Sequence, residues 1–178
     1  MTKRIAFIIF AVLCILIGLY PVIYFIIDPK FGLLNSKSDL LLNNDLWNIG
    51  FYTHISLGGL ALLIGWTQFN SKLRKNNMNL HRNIGKVYMI SVFLSGFSGL
   101  YIAYYATGGI ISTLGFSCLA IIWLYTTLRA FLEIKNRSIS KHQKFMIFSY
   151  AACFAAVTLR IWLPILTSIF QDFITAYR

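Results

Sequence analysis

The sequence predicts an all-α integral membrane bundle with five transmembrane helices, and three observations predict it. First, 58% of the 178 residues are hydrophobic and only 12% charged, with mean hydropathy +0.70. That charged share is about half that of an ordinary soluble domain. A small chain cannot bury so much apolar surface in one water-soluble core. Second, five apolar runs are long enough to cross a hydrocarbon core, which takes about 20 helical residues. They are 5–27, 49–69, 84–106, 110–132 and 145–170. Lipid cannot satisfy exposed backbone amides, so each run must be a helix. Third, basic residues alternate between successive loops, as the positive-inside rule requires of a multi-span protein.

The elements follow in order. Lys3 and Arg4 precede the first run. That run is too long for a signal-peptide core and lacks a small-x-small cleavage site, so it reads as a retained first span with the N-terminus cytoplasmic. The loop 28–48 holds Asp28, Lys30, Lys37, Asp39 and Asp45, is slightly acidic, and belongs outside. Ser38 is placed to cap a short helix lying on the membrane surface. Trp47 and Tyr52 suit an outer aromatic belt. After the second span, Lys72, Arg74, Lys75, Arg82 and Lys86 mark a cytoplasmic loop, with Asn79 as the cap of a helix starting near His81. The third and fourth spans join through the uncharged Gly108-Gly109 segment, which belongs outside. Lys135, Arg137, Lys141 and Lys144 then mark a second cytoplasmic loop, with Arg129 just inside the helix end. Ser140-x-x-Gln143 has the form of a capping box before the fifth span. Pro164 bends that span or places its end at the interface, and the C-terminus lies outside. The chain reads as one transmembrane domain, 1–178, of the cytoplasmic (inner) membrane.

Charge and motif content restrict the function. The formal net charge of +11 comes from residues lying between apolar runs rather than on one soluble face, which argues against nucleic acid. Cys14, Cys118 and Cys153 lie singly on different predicted helices and read as small buried hydrophobes. Nucleophilic hydrolysis needs an acid beside a Ser–His pair, and no span has an interior acid. A dinucleotide or ATP site needs a glycine-rich loop after a strand.

The polar residues inside the spans are the candidates for chemistry. His54, Gly58, Ala61, Gly65 and Gln68 lie at helical spacing on one face of the second span. His81, Gly85, Tyr88, Ser95 and Gly99 do so on the third, and Ser149, Cys153, Ala156 and Arg160 on the fifth. Small residues on such stripes let helices approach closely, so spans two, three and five should share an interior surface. The first span lacks such a stripe and should face lipid on most sides. Arg160 lies about 22 Å into the fifth span at 1.5 Å per residue, within about 8 Å of the outer hydrocarbon boundary. His54 sits at similar depth. A charge there marks a candidate site. His54, Arg160, Gln68 and Tyr88 are therefore ligand-binding candidates. Arg160 would hold an anion or a carbonyl, with His54 as proton donor, acceptor or ligand. In the bland alternative Arg160 snorkels outward or bonds carbonyls freed by Pro164. His81 and His142, at cytoplasmic helix starts, can ligate a haem iron or a metal ion. Otherwise they contact lipid phosphates together with Arg82, Lys141 and Lys144.

Three motifs carry a resemblance. His54-x3-Gly58 to Gln68-Phe69, Leu80-His81-Arg82-x2-Gly85-x2-Tyr88, and His142-x3-Met146-x2-Ser149-Tyr150-Ala151 running into Phe154-Ala-Ala-Val-Thr-Leu-Arg160-Ile-Trp-Leu-Pro164 resemble a family of small predicted bacterial multi-span membrane proteins classed as a domain of unknown function. The likeness covers about 54–164. Where that family usually has Trp and Arg around the methionine of its last motif, this chain has Phe145 and Phe148. The resemblance implies a multi-span protein marked by His54, His81, Arg82, His142 and Arg160, and implies no activity. The His81-Arg82 motif is also similar to those of membrane b-type cytochromes, by analogy only. Two function classes stay open. One is a membrane redox or small-ligand protein binding b-type haem, quinone or a metal. The other is a non-enzymatic component, a subunit of a homo-oligomer or larger membrane complex, or a permease-like binder.

Overall fold

A computed structural model gives the fold. It describes residues 2–27 and 32–177; Asp28 and Lys30 of the loop charge count lie outside the described residues. The described residues form helices and turns, with no strand among them.

The first span is α1 (Thr2–Leu19), a 3-10 turn (Tyr20–Val22) and α2 (Ile23–Ile26). Pro21 lies within that turn, where its missing N–H removes one bond from the ladder and the chain tightens locally. The short helix α3 (Asp39–Leu42) starts as expected at Ser38, whose side chain accepts from the Leu41 N–H at 3.4 Å. Asn44 caps α4 (Asp45–Gly65) by accepting from the Trp47 N–H at 2.9 Å. Then follow α5 (Ser71–Asn76), α6 (Met78–Ala103), α7 (Ile110–Lys135), α8 (Ile139–Phe170) and α9 (Phe173–Tyr177).

Among the described residues, five helical segments are long and apolar enough to cross a membrane: Lys3–Ile26, Asp45–Phe69, Met78–Ala103, Ile110–Lys135 and Ile139–Phe170. The predicted all-α membrane bundle is thus present with its five spans. Its helices begin earlier at the basic ends, α6 at Met78 rather than 84 and α8 at Ile139 rather than 145. Hydropathy falls at the first charge, whereas the backbone ladder continues while Lys and Arg stems lie along the helix. The caps move accordingly. Asn77, not Asn79, caps α6, accepting from the Leu80 N–H at 2.9 Å. Ser138 occupies the N-cap of α8 without a side-chain bond, so Ser140 falls inside the first turn and no capping box forms there. The α8 helix runs unbroken through Pro164.

Packing is most extensive between α4 and α6, then between α7 and α8, α6 and α7, and α1 and α4. The small-residue stripes do turn inward: Ala61, Tyr88, Ser95 and Ser149 are all 0% exposed. Yet α8 packs mainly on α7. The shared interior therefore needs the fourth span as well, through the buried Trp123, Thr127 and Ala130. The first span is mostly exposed, as expected, but it carries a buried small-residue face that the sequence did not lead one to expect. Its Ile5, Ile8, Ile9 and Leu16 are exposed, but Ala11 and Cys14 are buried. A Cβ on Gly18 would meet Leu63 at 2.6 Å, and one on Gly59 would meet the Gly18 carbonyl at 2.6 Å. Ala11, Cys14, Gly18 and Pro21 thus form a small-residue seam on which α4 lies. Cys14 and Cys153 are buried as expected, whereas Cys118 is exposed on α7.

Candidate functional site

A chamber of about 530 Å³ opens between α4, α6, α7 and α8. It lies at the end of the bundle that carries the 32–44 segment, the Gly108-Gly109 turn and α9. Most of its wall is apolar, including Ile102, Phe116, Leu119 and Ala120. Its polar lining includes Lys37, Trp47, His54, Thr158, Arg160 and Tyr177. The sequence stripes of α4 and α8 thus converge here.

His54 is held by α6. Its Nδ1 lies 2.9 Å from the Ser95 carbonyl oxygen, and the Ser95 hydroxyl donates to the His54 carbonyl at 2.8 Å. A carbonyl can only accept, so Nδ1 carries the proton in neutral His54 and Nε2 keeps its lone pair. The close approach requires glycine opposite. A Cβ on Gly99 would meet Nδ1 at 2.8 Å and Cε1 at 2.9 Å. His54 therefore presents Nε2 as an acceptor or ligand atom of fixed tautomer.

Arg160 enters from α8. Its Nη1 donates to the Ala156 carbonyl at 3.0 Å, and its Cζ lies 4.8 Å from the centroid of the Tyr20 ring. The bond goes one turn back along α8, not to the carbonyl freed by Pro164. Its Nε is buried without a hydrogen-bond partner. Among the described residues no carboxylate pairs with Arg160.

Three further lining residues were invisible as site residues in the sequence. Trp47 is 2% exposed rather than placed in an interfacial belt, because it stacks on Phe51 at 5.1 Å. Its Nε1 is buried without a partner. Lys37 donates to the Tyr105 carbonyl, and burial lowers its pKa. The Tyr177 carbonyl accepts from the Ser112 hydroxyl at 3.0 Å, which ties α9 to α7. Burial pushes the Tyr177 phenol up to about 12, against the opposing pull of Arg160. These residues come from the 32–44 segment, the first turn of α4 and α9, and only the tertiary fold brings them together.

Tyr88 and Gln68 lie elsewhere. The Tyr88 hydroxyl and the Ser149 hydroxyl are 2.8 Å apart, Ser149 and Thr127 2.6 Å apart, and Thr127 donates to the Trp123 carbonyl at 2.7 Å. Trp123 Nε1 donates to the Tyr88 oxygen at 3.5 Å. The donors thus run in sequence through Trp123, Tyr88, Ser149 and Thr127, ending on a carbonyl, with none left over. This is a clasp joining α6, α7 and α8, and Tyr88 does not line the chamber. We expect Tyr88→Phe to destabilise the protein by about 1–3 kcal/mol, because it strands the Trp123 N–H and removes the hydroxyl that donates to Ser149. Thermal unfolding in detergent, followed by tryptophan fluorescence, measures the effect. Gln68 sits beside Gly85 near the basic end, its Nε2 buried without a partner.

At that basic end His142 Nδ1 bonds the Ala130 carbonyl at 2.8 Å, leaving Nε2 as its free nitrogen. His81 Nδ1 is buried without a partner. The two imidazoles lie close enough to interact electrostatically. Glu133 is taken by Arg129 at 2.9 Å, and Arg129 stacks over Phe145 at 5.3 Å. Among the described residues no group of three His, Cys, Asp or Glu could hold a metal ion. Arg82, Lys141 and Lys144 are exposed.

No curated protein and no solved structure matches the chain. The family model described as predicted membrane protein (DUF2306), of unknown function, matches residues 51–178. The match takes in α5 to α9 and the greater part of α4, from Phe51 on, and so most of the chamber wall. The chain belongs to this family of multi-span membrane proteins.

Proposed function

We propose that this protein binds a membrane-soluble small molecule, taking its oxygen-bearing head into the chamber beside His54 and Arg160. The chamber's make-up carries the reading: about 530 Å³ of largely apolar wall with a few convergent polar groups, within the usual range of a ligand site, roughly 300–1,000 Å³. Alternating basic loops support placing the chamber in the outer half of the cytoplasmic membrane. Quinones and lipid-derived acids share the required form, an oxygen head on an apolar tail. A head oxygen would accept from Arg160, while His54 Nε2 would accept a proton. Simple subunit or permease-like roles do not by themselves call for a buried guanidinium edge and a fixed imidazole tautomer.

Tryptophan fluorescence tests the reading, because Trp47, Trp123 and Trp162 line the chamber. The purified full chain in nonionic detergent is titrated with decylubiquinone and with dibromostearate, both of which quench indole. Saturable quenching by either supports the proposal. Only linear quenching by both, as partition into the micelle gives, overturns it.

A second reading rests on the basic end. His142 Nε2 and the unpartnered His81 Nδ1 favour haem between two imidazoles over a metal ion, which usually wants three or four protein donors. A Soret band that disappears in His142→Ala supports haem there; a colourless chain purified from haem-replete cells argues against it.

A further inference from the structure

We propose that the chamber selects an oxyanion, a carboxylate or phosphate head on a long apolar chain, by pairing it side-on with Arg160. The proposal deepens the small-molecule reading above and rests on it.

Charge is the first argument. Arg160 and Lys37 both line the chamber, and among the described lining residues there is no Asp or Glu. A guanidinium keeps its proton in any protein setting, so Arg160 is a fixed cation. A fixed cation in an apolar, half-buried setting needs a counter-charge. Here the described chain supplies none, and a bound anion would.

The second argument is the geometry of the fork. Nη1 is spent on the Ala156 carbonyl, and the guanidinium face rests on Tyr20. What remains is the edge formed by Nε–H and Nη2–H. Nε is buried and unpartnered, and no described residue bonds Nη2. That edge donates two parallel hydrogen bonds, matching the two oxygens of a carboxylate or phosphate. A single carbonyl oxygen, as in a quinone, can meet both donors only through two bent bonds and brings no counter-charge. Trp47 Nε1–H, on a 2% exposed side chain that lines the same chamber, is a further unused donor. The remaining wall, with Phe116 and Leu119, is suited to a chain rather than to water. Inorganic phosphate has no apolar part to place there.

The test compares dibromostearate with its methyl ester, which keeps the chain and bromines and removes the charge. In the wild-type protein the acid should bind about tenfold to a hundredfold more tightly than the ester, the range for a charge-assisted bidentate pair. Arg160→Gln should remove that preference and leave the ester unchanged, while Lys135→Gln, at the basic end, should change neither. Arg160→Lys, which keeps charge but not the fork, should lie between. Competition identifies the source: displacement chiefly by oleate indicates a free fatty acid, and chiefly by oleyl phosphate a lipid phosphate. Either supports the proposal, and displacement by neither overturns it. Equal affinity of acid and ester in the wild type overturns it while the small-molecule reading stands. If neither acid, ester nor quinone saturates, both fall. The wild-type comparison needs no variant to fold.

Discussion

Gly65→Ala should be among the most destabilising single-methyl additions in this protein, costing about 3 kcal/mol or more. At this point α4 passes α8 and α6. A Cβ on Gly65 would overlap the Tyr150 ring and lie 2.9 Å from Tyr88 Cε2. Neither ring is free to yield. Tyr150 donates to the Leu62 carbonyl at 2.8 Å, with Cys14 Sγ at 3.1 Å, and is 3% exposed. Tyr88 is fixed by Ser149 and Trp123. Moving Tyr150 leaves a buried hydroxyl unpaired and disturbs the edge contacts it makes with Phe10 and Phe69. The added methyl thus combines overpacking with polar desolvation. Gly115→Ala is the control, since its Cβ would meet nothing within 4 Å. Thermal unfolding of both variants in the same detergent checks the difference. A Gly65→Ala midpoint matching that of Gly115→Ala would show that the crossing is looser than its geometry.

Why the architecture could be read from the sequence while much of the chamber could not is a matter of range. A span is a local property: hydropathy over some twenty residues suffices, and the bilayer removes every alternative to helix. Stripes are local too, which is why spacing alone could set His54 and Arg160 on inward faces, where both line the chamber. The first span hid its seam because Ala11, Cys14, Gly18 and Pro21 are apolar or neutral and do not contrast with the isoleucines around them. Tyr88 showed a limit of the same logic. Its position on an inward stripe was right, but a stripe cannot reveal whether a hydroxyl faces a cavity or closes a hydrogen-bond chain with Ser149 and Thr127. Lys37, Trp47 and Tyr177 reach the chamber from the 32–44 segment, the first turn of α4 and α9. Their approach depends on tertiary bonds such as Lys37 to Tyr105 and Ser36 to Thr107, the latter at 2.8 Å. No window along the chain contains both partners.

Gly99→Ala should strike the chamber itself, and a double-mutant cycle can show how. The new Cβ would stand 2.8 Å from His54 Nδ1. The ring must turn or shift, which breaks the bond to the Ser95 carbonyl at 2.9 Å and strands its N–H against apolar neighbours. A stranded donor costs about 1–3 kcal/mol. Displacing the ring also moves Nε2 and narrows the chamber, so affinity for the proposed amphiphile, read with dibromostearate, should fall by about tenfold or more, equivalent to about 1.4 kcal/mol. Gly58→Ala offers a milder comparison. Its Cβ would meet the Ser95 hydroxyl at 3.0 Å, and that hydroxyl can shift by a few tenths of an ångström, straining its bond to the His54 carbonyl without displacing the imidazole. If the imidazole is the source of the cost, removing it should remove the penalty. His54→Ala will be destabilising alone, but adding Gly99→Ala to it should cost little more. The cycle should therefore show coupling of about 1 kcal/mol or more in unfolding free energy, the size typical of residues in contact. Strict additivity would mean that Gly99 serves the α6 backbone rather than the seat of His54. In that case His54→Ala should abolish binding and Gly99→Ala should not, and titration of the same four proteins with dibromostearate would separate the two.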